Sequence, residues 1–212
     1  MAQVIIIAGG VSRRWHHDAG VPKHLVEVHG VTLLERIVRQ VRCRTADEVF
    51  LRVSDPLYQV EGTTTVVDRH GNKAFDMFCY EMLDRPTLFL YGDTYYSDQA
   101  MDFVVAQETD SIAFLGSGDS IVAIRVEDVD GFKHCLELIK DSQAEDIRGW
   151  TLYQSINDLP PGDLTRQENY REVPGSVVNV NTAEDYSHLE TLVGSEAAVD
   201  SGEGVDRAWV TP

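Results

Sequence analysis

Cysteine is scarce: Cys43, Cys79 and Cys135 are the only three in 212 residues. An odd number of widely spaced thiols builds no disulfide framework and supplies no CxxC pair for a metal, so they read as reduced thiols of a cytoplasmic protein. Long hydrophobic runs are missing as well, since no apolar stretch approaches the ~20 residues that cross a bilayer. The first run, Val4 to Ala8, is too short for the core of a signal peptide and lacks a basic leader. Positive charge is in short supply, with 18 Lys and Arg against 35 Asp and Glu and a net charge of −17. That balance argues against a surface that grips nucleic acid or anionic membrane, and it makes any local cluster of basic residues stand out. Two common phosphate-binding signatures, the Walker loop GxxxxGK(S/T) and the Rossmann fingerprint GxGxxG, are absent too.

What is present is alternation. A hydrophobic content of 43% in a chain of this length supports one sizeable core. Val4–Ala8 is a continuous β-branched run, the pattern of a central strand buried on both faces. Leu33, Leu34, Ile37, Val38 and Val41 recur at helical spacing behind a Thr32 cap. Glu48–Val53, Thr63–Val67 and Thr87–Tyr91 read as further strands, with a helix over Asn72–Leu83 between the last two. A helix from Ser97, strands from Ser111 and over Ser120–Val126, and a helix over EDVDGFKHCLELIK follow. The signal weakens between Asp141 and Gly175, then resumes with SVVNVN (Ser176–Asn181) as the last strand and a final helix after Thr182. Residues 1–193 are thus expected to form one α/β domain, a Rossmann-like, mostly parallel mixed sheet flanked by helices, with 194–212 as an acidic, Gly- and Ser-rich tail. No coiled-coil heptad marks an oligomer interface.

In such sheets ligands lie beyond the carboxyl ends of the strands. After the first strand stand Gly9, Gly10, Ser12, Arg13 and Arg14, with Lys23 further along the same loop. Small residues let backbone N–H groups approach a phosphate chain, and guanidinium and ammonium groups neutralise it; a tight turn with a solvated basic loop is the bland alternative. After Thr87–Tyr91 come Gly92 and Asp93. Such an Asp is either a turn former or, across a crevice from a phosphate cradle, a ligand for Mg²⁺. Asn179 and Asn181 lie two apart in SVVNVN and would share one side of a strand, a disfavoured place for asparagine unless both open the turn into the helix.

The stretches IIIAGGVSRRW and VPKHLVEVHGVTLLERIV together resemble the signature loop of the nucleotidyltransferases of the glycosyltransferase-A-like fold, AGGxSxR followed by PKxL and GxxLLE. LFLYGD resembles their metal-binding strand end and NVNTAEDY their closing NxNTPEDL or DxNTPEDY motif. The resemblance runs through roughly residues 3–193. It implies the nucleotide-diphospho-sugar transferase fold and a Mg²⁺-dependent transfer of NMP from a nucleoside triphosphate to a phosphorylated small-molecule acceptor, with a sugar 1-phosphate as first choice. It further implies that Arg14 contacts the leaving phosphates, that Lys23 neutralises the α-phosphate and that Asp93 holds the metal with Asn179 or Asn181 nearby, Asn179 preferred. Ala8, Gly9, Gly10, Ser12, Arg13, Gly71 and Gly92 are implied nucleotide-binding positions. WHHDAGVP, with Trp15, His16 and His17, is longer than the shortest family loops, and Asp68–Met77 lacks the Gly-Thr pair with which many relatives read the base. Molybdenum cofactor guanylyltransferases, choline-phosphate cytidylyltransferases, glycosyltransferases of the same fold and a silent nucleotide-binding regulator are the competing readings. Asp93-Thr94-Tyr95 departs from the Asp-x-Asp of metal-dependent glycosyltransferases.

Overall fold

In the computed structural model the first apolar run forms β1 (Gln3–Ile7), every residue of which is buried. The structure describes residues 2–9, 21–54, 58–67, 73–140 and 149–200, with 196–200 described in backbone only. A short antiparallel hairpin, β2 (Glu27–Val28) with β3 (Val31–Thr32), leads into α1 (Leu33–Arg42). Then come β4 (Glu48–Val53), β5 (Thr64–Val67), α2 (Lys73–Met77), β6 (Thr87–Tyr91), β7 (Thr94–Tyr96), α3 (Asp98–Ala106), β8 (Ile112–Ser117) and β9 (Ser120–Val126). The chain continues through α4 (Val129–Ile139), α5 (Gly149–Ile156), β10 (Tyr170–Glu172), β11 (Val177–Asn179) and α6 (Ala183–Asp200).

Seven strands form the main sheet in the order β10-β8-β9-β6-β1-β4-β5. β6, β1, β4 and β5 run parallel, β9 runs antiparallel between β6 and β8, and β10 lies parallel to β8. The predicted α/β sheet, mixed and mostly parallel, is therefore present. Period-2 side chains split it cleanly. Val4 and Ile6 point to one face, against Leu34, Ile37 and Val38 of α1 and Met101 and Val104 of α3. Ile5 and Ile7 point to the other, against Ala74 of α2, Phe132 and Leu136 of α4 and Leu152 of α5. α1 begins as its sequence dictates: Thr32 Oγ1 accepts from the Glu35 N–H at 3.2 Å and Glu35 Oε2 accepts from the Thr32 N–H at 3.2 Å, a reciprocal capping box.

Four expectations are corrected. The helix read over Asn72–Leu83 is broken: α2 stops at Met77, Cys79 takes a left-handed conformation with φ of 48°, and a 3-10 turn spans Tyr80–Met82. Packing overrides propensity here, because the bend delivers Phe78 edge-on to both Phe89 and Phe132. The weak stretch before Gly175 contains α5 and β10. SVVNVN is a strand only over Val177–Asn179, and it pairs antiparallel with β7 outside the main sheet. Finally, α6 runs on to Asp200, into the stretch read as a tail. A third apolar cluster, in which Val26, Leu33, Tyr95, Val180 and Leu189 meet, fastens α6 and the β2–β3 hairpin to β7 and β11. That cluster brings the segments before α1 and before α6 to the carboxyl end of β6.

Candidate active site

β6 ends in a turn at Gly92 and Asp93, and β7 leaves from it. The turn is close-packed. Gly92 N–H donates to the Ile7 carbonyl at 2.8 Å, and a Cβ on Gly92 would stand 3.0 Å from both Ala8 Cβ and the Ile7 oxygen. Any side chain there would push the ends of β1 and β6 apart, which is why a glycine precedes the aspartate. The Asp93 carbonyl accepts from the Val180 N–H at 2.8 Å, so the Asp93 backbone is held independently of its carboxylate.

Lys23 opens a 3-10 turn, Lys23–Leu25, behind Pro22, whose ring fixes φ near the observed −58°. Its Nζ forms an ion pair with Asp93 Oδ2 and donates to Asn181 Oδ1 at 2.9 Å. Lys23, Asp93 and Asn181 come from segments 70 and 158 residues apart in the chain, yet one ammonium group joins all three. Asn181 is aimed by the start of α6. Asp185 Oδ2 accepts from the backbone N–H groups of Asn181 (2.9 Å) and Thr182 (2.8 Å), while Thr182 Oγ1 accepts from the Asp185 N–H. The Thr-x-x-Asp spacing is thus a helix cap that also orients the asparagine before it. Asn179 stands opposite Thr94 in the β11–β7 pair, and its Oδ1 is buried without a hydrogen-bond partner among the described residues.

This donor set fits a hard divalent cation. One carboxylate with amide oxygens beside it suits an ion that fills most of its shell with phosphate oxygens and water, and an unpaired buried acceptor such as Asn179 Oδ1 is stabilised by a cation. Among the described residues no cluster of three His, Cys, Asp or Glu side chains forms an all-protein cage.

At the end of β1, Ala8 N–H donates to the Arg52 carbonyl at 2.8 Å, continuing the β1–β4 ladder. The Gly9 carbonyl accepts from Arg52 Nη1 at 2.6 Å. Of the sequence-derived site residues, Lys23, Asp93 and Asn181 are brought into contact, Ala8 and Gly92 pack on one another, and Gly9 lies at the end of β1. Asn179 is beside this group rather than in it. Gly10, Ser12, Arg13, Arg14 and Gly71, with Trp15, His16 and His17, lie outside the described residues.

Two residues of the site carried no motif. Arg52 is one; its signal is a charge in the otherwise apolar second half of EVFLRV. His24 is the other: it is 5% exposed, meets the Tyr58 ring edge-on at a centroid distance of 4.9 Å, and leaves Nε2 without a hydrogen-bond partner. Burial pushes its pKa below the ordinary imidazole value, against the pull of the Asp93 carboxylate and with the added push of Lys23. The folded chain therefore resists a proton that the unfolded chain accepts, so stability is complete above the unfolded pKa and falls as pH drops through it. Urea unfolding of the wild type between pH 7.5 and 5.5 should lose stability more steeply than that of His24→Gln, by up to about 1.4 kcal/mol per pH unit below about 6.5. Parallel slopes would show that His24 takes up its proton in the fold.

Residues 4–155 match the family described as the MobA-like NTP transferase domain. No curated protein matches the chain. Among solved structures, the CTP:phosphocholine cytidylyltransferase of Streptococcus pneumoniae is similar, with a TM-score of 0.65 at 16% identity over 91% of this chain and 99% of that one. So is the inositol-1-phosphate CTP transferase of T. maritima, with a TM-score of 0.65 at 15% identity over 91% and 94%. Rv0371c of Mycobacterium tuberculosis in complex with manganese superposes with a TM-score of 0.55 at 14% identity over 90% and 98%. These likenesses establish the fold, and the family match, which covers Val4–Ile7 of β1, Lys23 and Asp93 alike, establishes the rest: the chain belongs to the MobA-like NTP transferase family and is a nucleotidyltransferase.

Proposed function

We propose that this chain transfers NMP from a nucleoside triphosphate to a phosphate monoester, with a sugar 1-phosphate as the first choice of acceptor, and releases pyrophosphate. The observation that carries the reading is the Lys23 ammonium held between Asp93 and Asn181 at the carboxyl end of β6. A phosphate oxygen of the acceptor attacks the α-phosphorus in line, and the bond from that phosphorus to the bridging oxygen breaks as pyrophosphate leaves. Such chemistry needs alignment and charge neutralisation more than covalent help. In this reading Lys23 would neutralise the α-phosphate, Gly9 and Gly10 would give the triphosphate close access to backbone, and Arg14 would pair with the leaving phosphates. Asp93 would hold Mg²⁺, with the amide oxygens of Asn179 and Asn181 at hand. When bound, that ion supplies charge neutralisation and a template for the reacting oxygens.

The acceptor class draws support from the similar solved structures, whose names specify phosphocholine and inositol 1-phosphate as their substrates. A cytoplasmic setting is consistent with three cysteines that form no disulfide, of which Cys43 is exposed. Among the described residues no helix is long and apolar enough to cross a membrane.

The test is a matrix of the four common NTPs with sugar 1-phosphates, phosphocholine and inositol 1-phosphate, read by mass spectrometry of the coupled product. One NTP with a sugar 1-phosphate should give an NDP-sugar. Coupling to phosphocholine alone would move the acceptor to a phosphorylated amino alcohol, and coupling to none of the three would overturn the acceptor class.

A further inference from the structure

We infer that Asp185 is a positioning residue for the transfer: through the backbone N–H of Asn181 it fixes the amide oxygen that locates the Lys23 ammonium; this rests on the nucleotidyl-transfer reading above. Two side chains locate that ammonium, Asp93 through Oδ2 and Asn181 through Oδ1. Asp93 is the charged one, and a hard divalent cation takes a carboxylate before an amide. Asn181 is then the acceptor left to Lys23 in the loaded site. An amide oxygen has two lone pairs, so it can serve the ammonium even while it faces the ion. Where Asn181 stands therefore decides where the charge of Lys23 stands when the α-phosphate arrives.

The start of α6 contains more than a helix end requires. A capping box consists of two bonds: the cap hydroxyl accepts from the N–H of the third helical residue, and the side chain of that residue accepts from the cap N–H. Thr182 and Asp185 form both, at 3.2 Å and 2.8 Å. Asp185 Oδ2 then accepts a further bond, from the Asn181 N–H at 2.9 Å, one residue outside the cap. The box at α1 lacks this extension: Glu35 Oε2 accepts from the N–H and the hydroxyl of Thr32, and both bonds stay on the cap residue. The anchors on either side are firm. Val180 N–H donates to the Asp93 carbonyl and pins the residue before Asn181. Tyr186 Oη donates to the Glu27 carbonyl at 3.1 Å, and Leu189 lies in one apolar cluster with Val26 and Leu33, so the first turns of α6 are tied to the segment that follows Lys23. Between these anchors, the bond from the Asn181 N–H to Asp185 sets the backbone of the asparagine itself.

The experiment takes the NTP and acceptor pair that couples in the matrix above and measures kcat, KM and Tm for the wild type, Asp185→Ala, Asp185→Asn, Asn181→Ala, the double variant of Asp185→Ala with Asn181→Ala, and Thr182→Ala. Asp185→Ala should lower kcat about tenfold with less than about a threefold change in KM for the NTP, since a displaced ammonium costs most where charge develops. Asp185→Asn keeps an oxygen acceptor in the same place and should recover most of the loss. The double variant should be no slower than Asn181→Ala alone, because Asp185 acts through that asparagine. Thr182→Ala removes the other half of the cap without releasing the Asn181 N–H; it should lower Tm about as much as Asp185→Ala does and leave kcat within about twofold of the wild type. If kcat in Asp185→Ala stays at the wild-type value, falls only as far as in Thr182→Ala, or multiplies with the loss in Asn181→Ala, Asp185 is a cap alone and the inference is overturned while the transferase reading stands. A wild type that couples no NTP to any acceptor removes both.

Discussion

Replacing Asp93 by alanine should lower kcat/KM by about a thousandfold or more, the several kcal/mol that loss of a charge-neutralising metal site costs a phosphoryl-type transfer. The side chain, not the backbone, carries this effect. Asp93 contributes to the fold through its carbonyl, which accepts from the Val180 N–H, and through the turn that Gly92 makes possible. Both survive the substitution, so Tm should shift by no more than a few degrees while turnover collapses. Asp93→Asn is the sharper variant, because it keeps shape and one oxygen donor but removes the charge. It should be nearly as impaired. Addition of Mn²⁺ or of excess Mg²⁺ should restore only part of the rate, since the defect lies in holding the ion rather than in supplying it.

Replacing Lys23 by methionine should lower kcat about a hundredfold, the usual magnitude for losing one donor aimed at charge developing in a transition state. Arginine should not rescue it. The ammonium is a compact donor seated between Asp93 Oδ2 and Asn181 Oδ1 on a turn that Pro22 makes rigid, and a planar fork on a longer stem does not occupy that position. The two variants diverge in a second measurement. Lys23 neutralises the same carboxylate that a divalent cation would use, so Lys23→Met should bind Mn²⁺ alone more tightly than the wild type, whereas Asp93→Ala should bind it more weakly. Calorimetry or electron paramagnetic resonance titration reads the opposite signs directly. Weaker Mn²⁺ binding in Lys23→Met would contradict the shared role of the carboxylate.

Much of this arrangement was legible in the chain because its signals are local. β-branched Val4–Ile7 makes a buried strand, Thr32 with Glu35 makes a cap, and Gly92 before Asp93 makes a tight strand end, each within a few residues. What escaped depends on partners far away in sequence. The two asparagines of SVVNVN appeared equivalent by alternation, yet the strand stops at Asn179 and the cap on α6 turns Asn181 alone to Lys23. Cys79 adopts a left-handed backbone because aromatic packing around Phe78 requires the bend, and no glycine or asparagine announces it. Arg52 was visible as a charge in a strand. Its partners, however, are backbone carbonyls at Gly9 and Asp76, and a carbonyl has no letter of its own in a sequence. β7 and β10, three residues each, are too short to show a period.

The most direct measurement is pyrophosphate release from a radiolabelled or enzyme-coupled NTP in the presence of Mg²⁺, with and without the phosphorylated acceptor, on the wild type and on Asp93→Asn. Release should require the acceptor, match coupled product one for one, stop with a chelator and be lost in Asp93→Asn. Acceptor-dependent release that persists unchanged in Asp93→Asn would contradict this reading.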